Sequence, residues 1–343
     1  MIVIIVILAV IVLFKIYISV KHPFWNRQPV FHIYKLHYLF IKGIIYKEFP
    51  KIDKKYYDVC VKYLNYDEVS NDNKKKIQLF IKNNWYDEKM KTLPYMASTA
   101  YLGLIKKNDA LNGIICGQKL KMGDVNVTYI DYLCICKKFR KNNIAPKLIY
   151  NFFLQNYKNS KICLFKWENK KMNIIPLCVY NVLHYKNLKI KLHRNLDIKI
   201  TQIEKNNFHL INFNEIKNKF KISFLLDEKK ILEQLDNEYV FIFASMKNST
   251  LLGLYFFYNY GNNYYNLYSS VNFCNDEIFI KGFKLVISSF KNYNLSIENI
   301  SNSNILIDNI NKSYKPYLIE THSYYFYNYV HLPENSNDVL VLS

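Results

Sequence analysis

Tyr129-Ile-Asp-Tyr-Leu-Cys-Ile-Cys-Lys-Lys-Phe-Arg-Lys-Asn-Asn-Ile-Ala-Pro146 changes rhythm halfway along. Leading into it, Val125, Val127 and Tyr129 alternate with Asn126 and Thr128, after which the chain turns apolar on both faces. That pattern predicts a strand running to Cys136 inside a buried sheet, and Leu111 to Cys116 reads as a neighbouring strand. Beyond the stretch, Leu148 and Phe152 share a helical stripe, with Ile149, Phe153 and Tyr157 beside it. Pro146 falls in the first turn of that helix, where its missing N–H is harmless. Between strand and helix lie Lys137, Lys138, Arg140, Lys141, Asn142, Asn143 and Ile144. The orphan N–H groups and dipole of a helix N-terminus favour anions, and basic side chains add charge. The residues leave two readings open: an anion site, or a basic turn facing solvent.

The chain has 343 residues, enough for two domains with ample core. Half of them are apolar and 17% aromatic, which excludes disorder on the scale of the whole chain. The net charge is +20, from 47 Lys and Arg against 27 Asp and Glu. That excess attracts anions such as nucleic acid, acidic lipid or cofactor phosphates. No Lys/Arg block exceeds three residues, however, and the chain is crowded with Lys, Asn, Ile, Tyr and Phe, so compositional drift explains the charge better than a nucleic-acid footprint. Lys74-Lys75-Lys76, in a basic stretch of weak helical periodicity ending about Lys91, reads as a solvated loop. Seven cysteines, an odd number with no C-x-x-C spacing, give neither a zinc site nor a disulfide framework and point to a reducing compartment.

Residues 2 to 14, IVIIVILAVIVLF, are uniformly apolar, and Lys15 interrupts before Ile16 to Val20. The whole stretch would just span a bilayer core of about 30 Å if Lys15 snorkels. Residues 1–20 are therefore read as a transmembrane anchor rather than a buried N-terminal element. Lys15, Lys21 and Arg27 follow the apolar run, which places the main body on the cytoplasmic side.

A second cycle begins near Ile200. Ile203 to Ile211 and Lys219 to Leu235 read as helices, Tyr239 to Ala244 and Leu251 to Tyr258 as strands, and Glu277 to Phe290 as a helix. Two mixed α/β halves follow, residues 22–195 and 196–343.

Four stretches, in order, resemble the N-myristoyltransferase family. His22-Pro23-Phe24-Trp25-Asn26-Arg27-Gln28-Pro29-Val30 is similar to the family's F-W-x-T-Q-P-V, with Arg27 in place of Thr. In the run from Tyr129 to Pro146, Leu133, Cys134, Lys137, Lys138, Arg140, Ala145 and Pro146 fall in register with I-N-F-L-C-V-H-K-K-L-R-S-K-R-x-A-P. Pro176 and His184 match a Pro and the His of a Tyr-Trp-His motif. The end of the chain, Ser323-Tyr-Tyr-Phe-Tyr-Asn-Tyr-Val through Val339-Leu-Val-Leu-Ser343, is similar to the family's C-terminus. The resemblance covers residues 22 to 343 and implies a pseudo-duplicated acetyltransferase-like (GNAT-like) fold.

It also implies acyl transfer from myristoyl-CoA to an N-terminal glycine amine, with no metal, by a monomer. On that basis the free carboxylate of Ser343 is the base. A carboxylate of ordinary pKa, about 3.5, is a poor base for an ammonium until burial raises it. The chain end must then be threaded inside, which suits Val339-Leu340-Val341-Leu342. The resemblance makes the N–H groups of Tyr132 and Leu133 the oxyanion pair. It assigns coenzyme A to His22, Phe24, Trp25, Leu133, Cys134, Ile135, Arg140, Lys141, Asn142, Asn143, Ile144 and Ala145. The peptide side receives Asp131, Glu168, His184, Ser269, His322 and Leu342. Three departures stand out. Asp131 replaces the family's Asn, Glu168 replaces the Thr of Y-T-A-G, and Leu318-Ile319-Glu320-Thr321-His322 replaces a glycine-rich loop. Two acids hold an ammonium more strongly or accept its proton themselves. Alternative readings are a non-catalytic binder of acyl-CoA or acyl-peptide, and an acyltransferase acting on lysine or non-glycine N-termini.

Overall fold

The computed structural model describes residues 2–84, 101–107, 110–168, 172–186, 188, 190, 197–261, 263–290 and 293–343. The proposed boundary at 195/196 and the end of the basic stretch near Lys91 lie outside the described residues. In the first part the strands are β1 (Gly43–Ile44), β2 (Val61–Asn65), β3 (Tyr101–Lys107), β4 (Ala110–Met122), β5 (Val125–Ile135), β6 (Ile162–Glu168) and β7 (Cys178–Lys186). In the second they are β8 (Lys199–Gln202), β9 (Ile222–Leu226), β10 (Val240–Lys247), β11 (Thr250–Asn259), β12 (Tyr264–Asn272), β13 (Asn294–Glu298), β14 (Leu318–Tyr327), β15 (Tyr329–Val330) and β16 (Val339–Leu342). The helices are α1 (Ile2–Lys21), α2 (Pro23–Arg27), α3 (Asn71–Asn84), α4 (Ile144–Asn156), α5 (Phe213–Asn218), α6 (Glu228–Asp236), α7 (Asp276–Ser288) and α8 (Ser303–Ile310).

Fourteen of these strands form one mixed sheet, ordered β16-β9-β4-β5-β6-β14-β7-β13-β12-β11-β10-β8, with β3 also on β4 and β2 on β3. One pattern occurs twice. In the first part β3, β4 and β5 run antiparallel, α4 crosses over, and β6 lies parallel to β5. In the second, β10, β11 and β12 run antiparallel, α7 crosses over, and β13 lies parallel to β12. The strands that follow are exchanged. β14 pairs with β6, while β7 lies between β14 and β13. Two parts interlocked by exchanged strands bury the seam between them and form a single sheet.

Each pattern carries a bulge in its third strand. Between β4 and β5 the register steps from Cys116↔Tyr132 to Gly117↔Ile130, so Asp131 is the unpaired extra residue. Between β11 and β12 it steps from Phe256↔Ser269 to Phe257↔Leu267, leaving Tyr268. Opposite the first bulge, a Cβ on Gly117 would lie 2.8 Å from Cζ of Phe152. The glycine lets that α4 ring, itself 1% exposed, rest directly on the strand.

Three expectations need correction. Ile203 to Ile211 is not a helix: the segment is turn and coil, with only a single 3₁₀ turn at Phe208–Leu210. Lys219 to Leu235 is not one helix: Ile222–Leu226 is β9, paired with β4 and with the chain end in β16, and only then does α6 begin at its Asp227 cap. Partners 100 residues away override a local helical rhythm. Lys74–Lys76 sit in α3, whose Ile77 and Ile81 are buried.

The transmembrane anchor, and the membrane localisation built on it, also fail. Residues 2–21 do form one helix, but among the described residues no helix is long and apolar enough to cross a membrane. Lys15 limits the uninterrupted apolar run to about 20 Å against a core of about 30 Å. Of the residues after Lys15 in this helix, Ile18 alone packs into the protein body, while Ile16, Tyr17 and Val20 stay exposed. Ile18 is fully buried, and its carbonyl accepts the His22 N–H where the chain turns into α2.

Candidate functional site

β5 and β6 are paired only from Val127↔Ile162 to Ile130↔Phe165. Past that point they separate, because the bulge at Asp131 turns β5 away while β6 stays on β14. The gap opens a cavity of about 1060 Å³. One wall is β5 from Asp131 to Ile135, and the other is Phe165 to Glu168 of β6. Arg140, Lys141, Asn143 and the first turn of α4 rim one end. Lys141 and Asn143 adopt positive φ, 69° and 57°, in the tight turn that aims α4 at the cavity.

The chain end reaches the same space. Val339 to Leu342 pair parallel with Ile222 to Leu225, and all four side chains are 2% exposed or less. Burying such side chains stabilises by about 1.5–3 kcal/mol each, which offsets ordering a terminus that would otherwise fray. Ser343 is buried and lines the cavity, and the Tyr258 hydroxyl donates to its main-chain carboxylate oxygen at 2.6 Å.

The floor is charged. The Lys166 ammonium lies 3.6 Å from Oε1 of Glu168 and 3.6 Å from Oε1 of Glu298. Glu298 is buried at the end of β13, where the Asn266 amide donates to it at 3.0 Å. Burial alone would raise the Glu298 carboxyl, but Lys166, His322 and Asn266 outweigh it and hold it below the usual range. Burial would likewise lower Lys166, but Glu298 and Glu168 hold it well above its ordinary value. Burial pushes the Asp131 carboxyl up to about 7; Lys166 opposes that shift and Glu168 adds to it. Beside them His184 bridges Oε2 of Glu320 and the Tyr264 hydroxyl, each at 2.7 Å. His322 is buried, its Nδ1 has no partner, and burial and then Lys166 lower its pKa.

Of the residues assigned from sequence, Ser343, Tyr132, Leu133, Trp25, Cys134, Ile135, Arg140, Lys141, Asn143, Ile144, Ala145, Asp131, Glu168, His184 and His322 all line this one cavity. Trp25 stacks on Phe165 with ring centroids 5.6 Å apart. The Arg140 guanidinium donates to the carbonyls of Ile135 and Asn84, which ties the basic loop to β5 and α3. Five others lie elsewhere. Phe24 is packed edge-on against Trp25 and Tyr56, His22 precedes α2, and Asn142 is exposed. Ser269 is buried against the Ser301 hydroxyl at 3.1 Å, and Leu342 is core on β16.

Lys166, Glu298, Glu320, Tyr258 and Tyr264 escaped the sequence reading. For the charged ones the signal is a charge inside an apolar strand: Lys166 and Glu168 alternate in Ile-Cys-Leu-Phe-Lys-Trp-Glu, and Glu298 ends Asn-Leu-Ser-Ile-Glu. Among the described residues no group of His, Cys, Asp or Glu is arranged to hold a metal ion.

A raised carboxyl carries a stability penalty whose sign can be checked. Asp131 titrates near 7 folded and at about 3.9 unfolded, so between those values the folded state holds the extra proton. Stability therefore falls as pH rises from about 4 to 7 and is level above that. Asp131→Asn removes the penalty. We expect it to melt above wild type at pH 8 and level with it at pH 3.5; equal melting temperatures at both would contradict the assignment.

No family model and no curated protein matches the chain. Solved structures do. It is similar to Saccharomyces cerevisiae N-myristoyltransferase with bound myristoyl-CoA, with a TM-score of 0.68 and 13% identity over 92% of this chain and 94% of that one. A second structure of that enzyme with myristoyl-CoA gives 0.66 and 14% identity over 92% and 90%. A third, with myristoyl-CoA and inhibitors, gives 0.65 and 13% identity over 95% of each. The chain has the N-myristoyltransferase fold.

Proposed function

We propose that this protein transfers a myristoyl or similar long-chain acyl group from acyl-CoA to the N-terminal glycine amine of a protein. The observation that carries the reading is the buried chain end, whose carboxylate opens into the cavity that Asp131, Tyr132 and Leu133 line. The likeness in fold to enzymes holding myristoyl-CoA supports the same reading.

In this proposal residues 22–195 hold the donor and 196–343 most of the acceptor peptide, within one monomer. Coenzyme A lies along Trp25 and the rim of Arg140, Lys141, Asn143, Ile144 and Ala145. The Ser343 carboxylate takes a proton from the ammonium, freeing the amine to attack the thioester carbon. The amides of Tyr132 and Leu133 meet the oxyanion, and positioning with that contact supplies most of the rate. Glu168, His184 and His322 face the incoming peptide.

One observation favours the binder instead. Glu168, which stands where an amine is to be handled, is already engaged by Lys166. The two readings separate by mass spectrometry of the full chain, with its native C-terminus, incubated with myristoyl-CoA and peptides beginning Gly, Ala, Ser or acetyl-Gly-Lys. Adducts confined to free Gly peptides support the enzyme. Myristoyl-CoA binding without an adduct on any peptide supports the binder, and neither binding nor adduct overturns both.

A further inference from the structure

Resting on the acyl-transfer reading, we infer that Asp131 is a second catalytic carboxylate, which takes a proton from the nitrogen of the tetrahedral adduct and delivers it to the departing coenzyme A sulfur. The reaction itself demands such a group. An ammonium must lose two protons to become an amide N–H. The first leaves before attack. The second leaves after the N–C bond forms, and as the C–S bond breaks the thiolate must gain one. The products are amide and free thiol, with one net proton released. Ser343 provides for the first transfer only. Once its carboxylate has taken that proton it is neutral and cannot take the second.

Asp131 is where the second transfer occurs. As the unpaired residue of the bulge it immediately precedes Tyr132, whose amide faces the developing oxyanion in the proposed mechanism, and it lines the cavity with Leu133 and Ser343. Lys166 and Glu168 face it from β6, Cys116 and Gln118 from β4, Tyr129 and Tyr132 from β5, and Tyr239 from just before β10. Lys166 is the single cation in that set, and it is shared with Glu168 and Glu298. The Gln118 amide approaches Asp131 at 3.5 Å. A carboxyl that titrates near 7 is ionised often enough at neutral pH to accept a proton. It is also acidic enough to pass one to a thiolate whose acid has an ordinary pKa of about 8.5.

The test compares wild type, Asp131→Asn and Asp131→Glu, all with the native C-terminus, using myristoyl-CoA and a free Gly peptide. We expect Asp131→Asn to lose about 100-fold in kcat with myristoyl-CoA affinity unchanged, and its kcat/KM profile to lose the acid limb near pH 7. Asp131→Glu keeps a limb at a shifted midpoint, which a purely structural role would not produce. With a myristoyl thioester of an acidic aromatic thiol, which leaves without a proton, the Asp131→Asn defect shrinks by about tenfold. An Asp131→Asn enzyme that keeps both rate and limb overturns the inference while acyl transfer stands. A wild type that acylates no peptide overturns acyl transfer, and the inference with it.

Discussion

Deleting Ser343, or adding residues after it, is expected to lower acyl transfer by about 10²–10⁴-fold, the range for loss of a general base. Binding of myristoyl-CoA should change little, because β5 and the rim of α4 are untouched. The argument is positional. The segment Val339–Leu342 is fixed by its register with Ile222–Leu225 and by burial of all four side chains. Removing one residue leaves a carboxylate on Leu342, withdrawn by about 3.3 Å, the rise of one strand residue. Extending the chain replaces the carboxylate by a neutral amide and forces a polar tail into the cavity. Ser343→Ala separates the chain end from its side chain, since the hydroxyl is also 3.1 Å from that of Tyr258. That variant should keep most of its activity, and titration calorimetry with steady-state rates would follow both quantities. Full turnover by a C-terminally extended enzyme would rule out the terminal base.

What could be read in advance followed the reach of each signal. The strand, turn and helix from Val125 to Asn156 were legible because alternation, a basic turn and a helical stripe are all local. The tail was legible as apolar, and its resemblance gave a reason for burial. β9 was not, because its strand character comes from β4 and β16, and five residues between two helical rhythms do not declare themselves. The anchor misled because Lys15 was allowed to snorkel and join two short apolar runs into one span, whereas Lys15 breaks the run and Ile18 beyond it is already used by the fold. In the cavity, residues of the matched motifs were found by register. Lys166, Glu298 and Glu320 were not, since the exchange of β7 and β14 brings three distant strands to one floor. No spacing along the chain encodes that meeting.

The same floor supplies the largest expected effect on stability. Lys166→Met should destabilise the protein by about 3–5 kcal/mol, the cost of removing one partner of a buried ion pair. Glu298 is the reason: its side chain is 4% exposed, and without Lys166 the carboxylate keeps the neighbouring His322, the Asn266 amide and the Tyr180 hydroxyl, but no firmly charged cation, to offset burial. In wild type the folded Glu298 carboxyl is held below its unfolded value, so its contribution is present above about pH 4.3 and is lost as pH falls through the lower folded value. In Lys166→Met the sign reverses. Burial then raises the carboxyl, the folded state keeps its proton, and the penalty is full only above the raised value. The deficit relative to wild type should therefore shrink as pH falls from 8 towards 4. Lys166→Met/Glu298→Gln removes both charges at similar volume and should recover most of the loss, as replaced buried pairs commonly do. Urea unfolding of the three proteins at pH 4.5 and 8 measures all of this. A deficit that is equal at both pH values, or a double variant no more stable than the single one, would show that Lys166 contributes packing rather than charge.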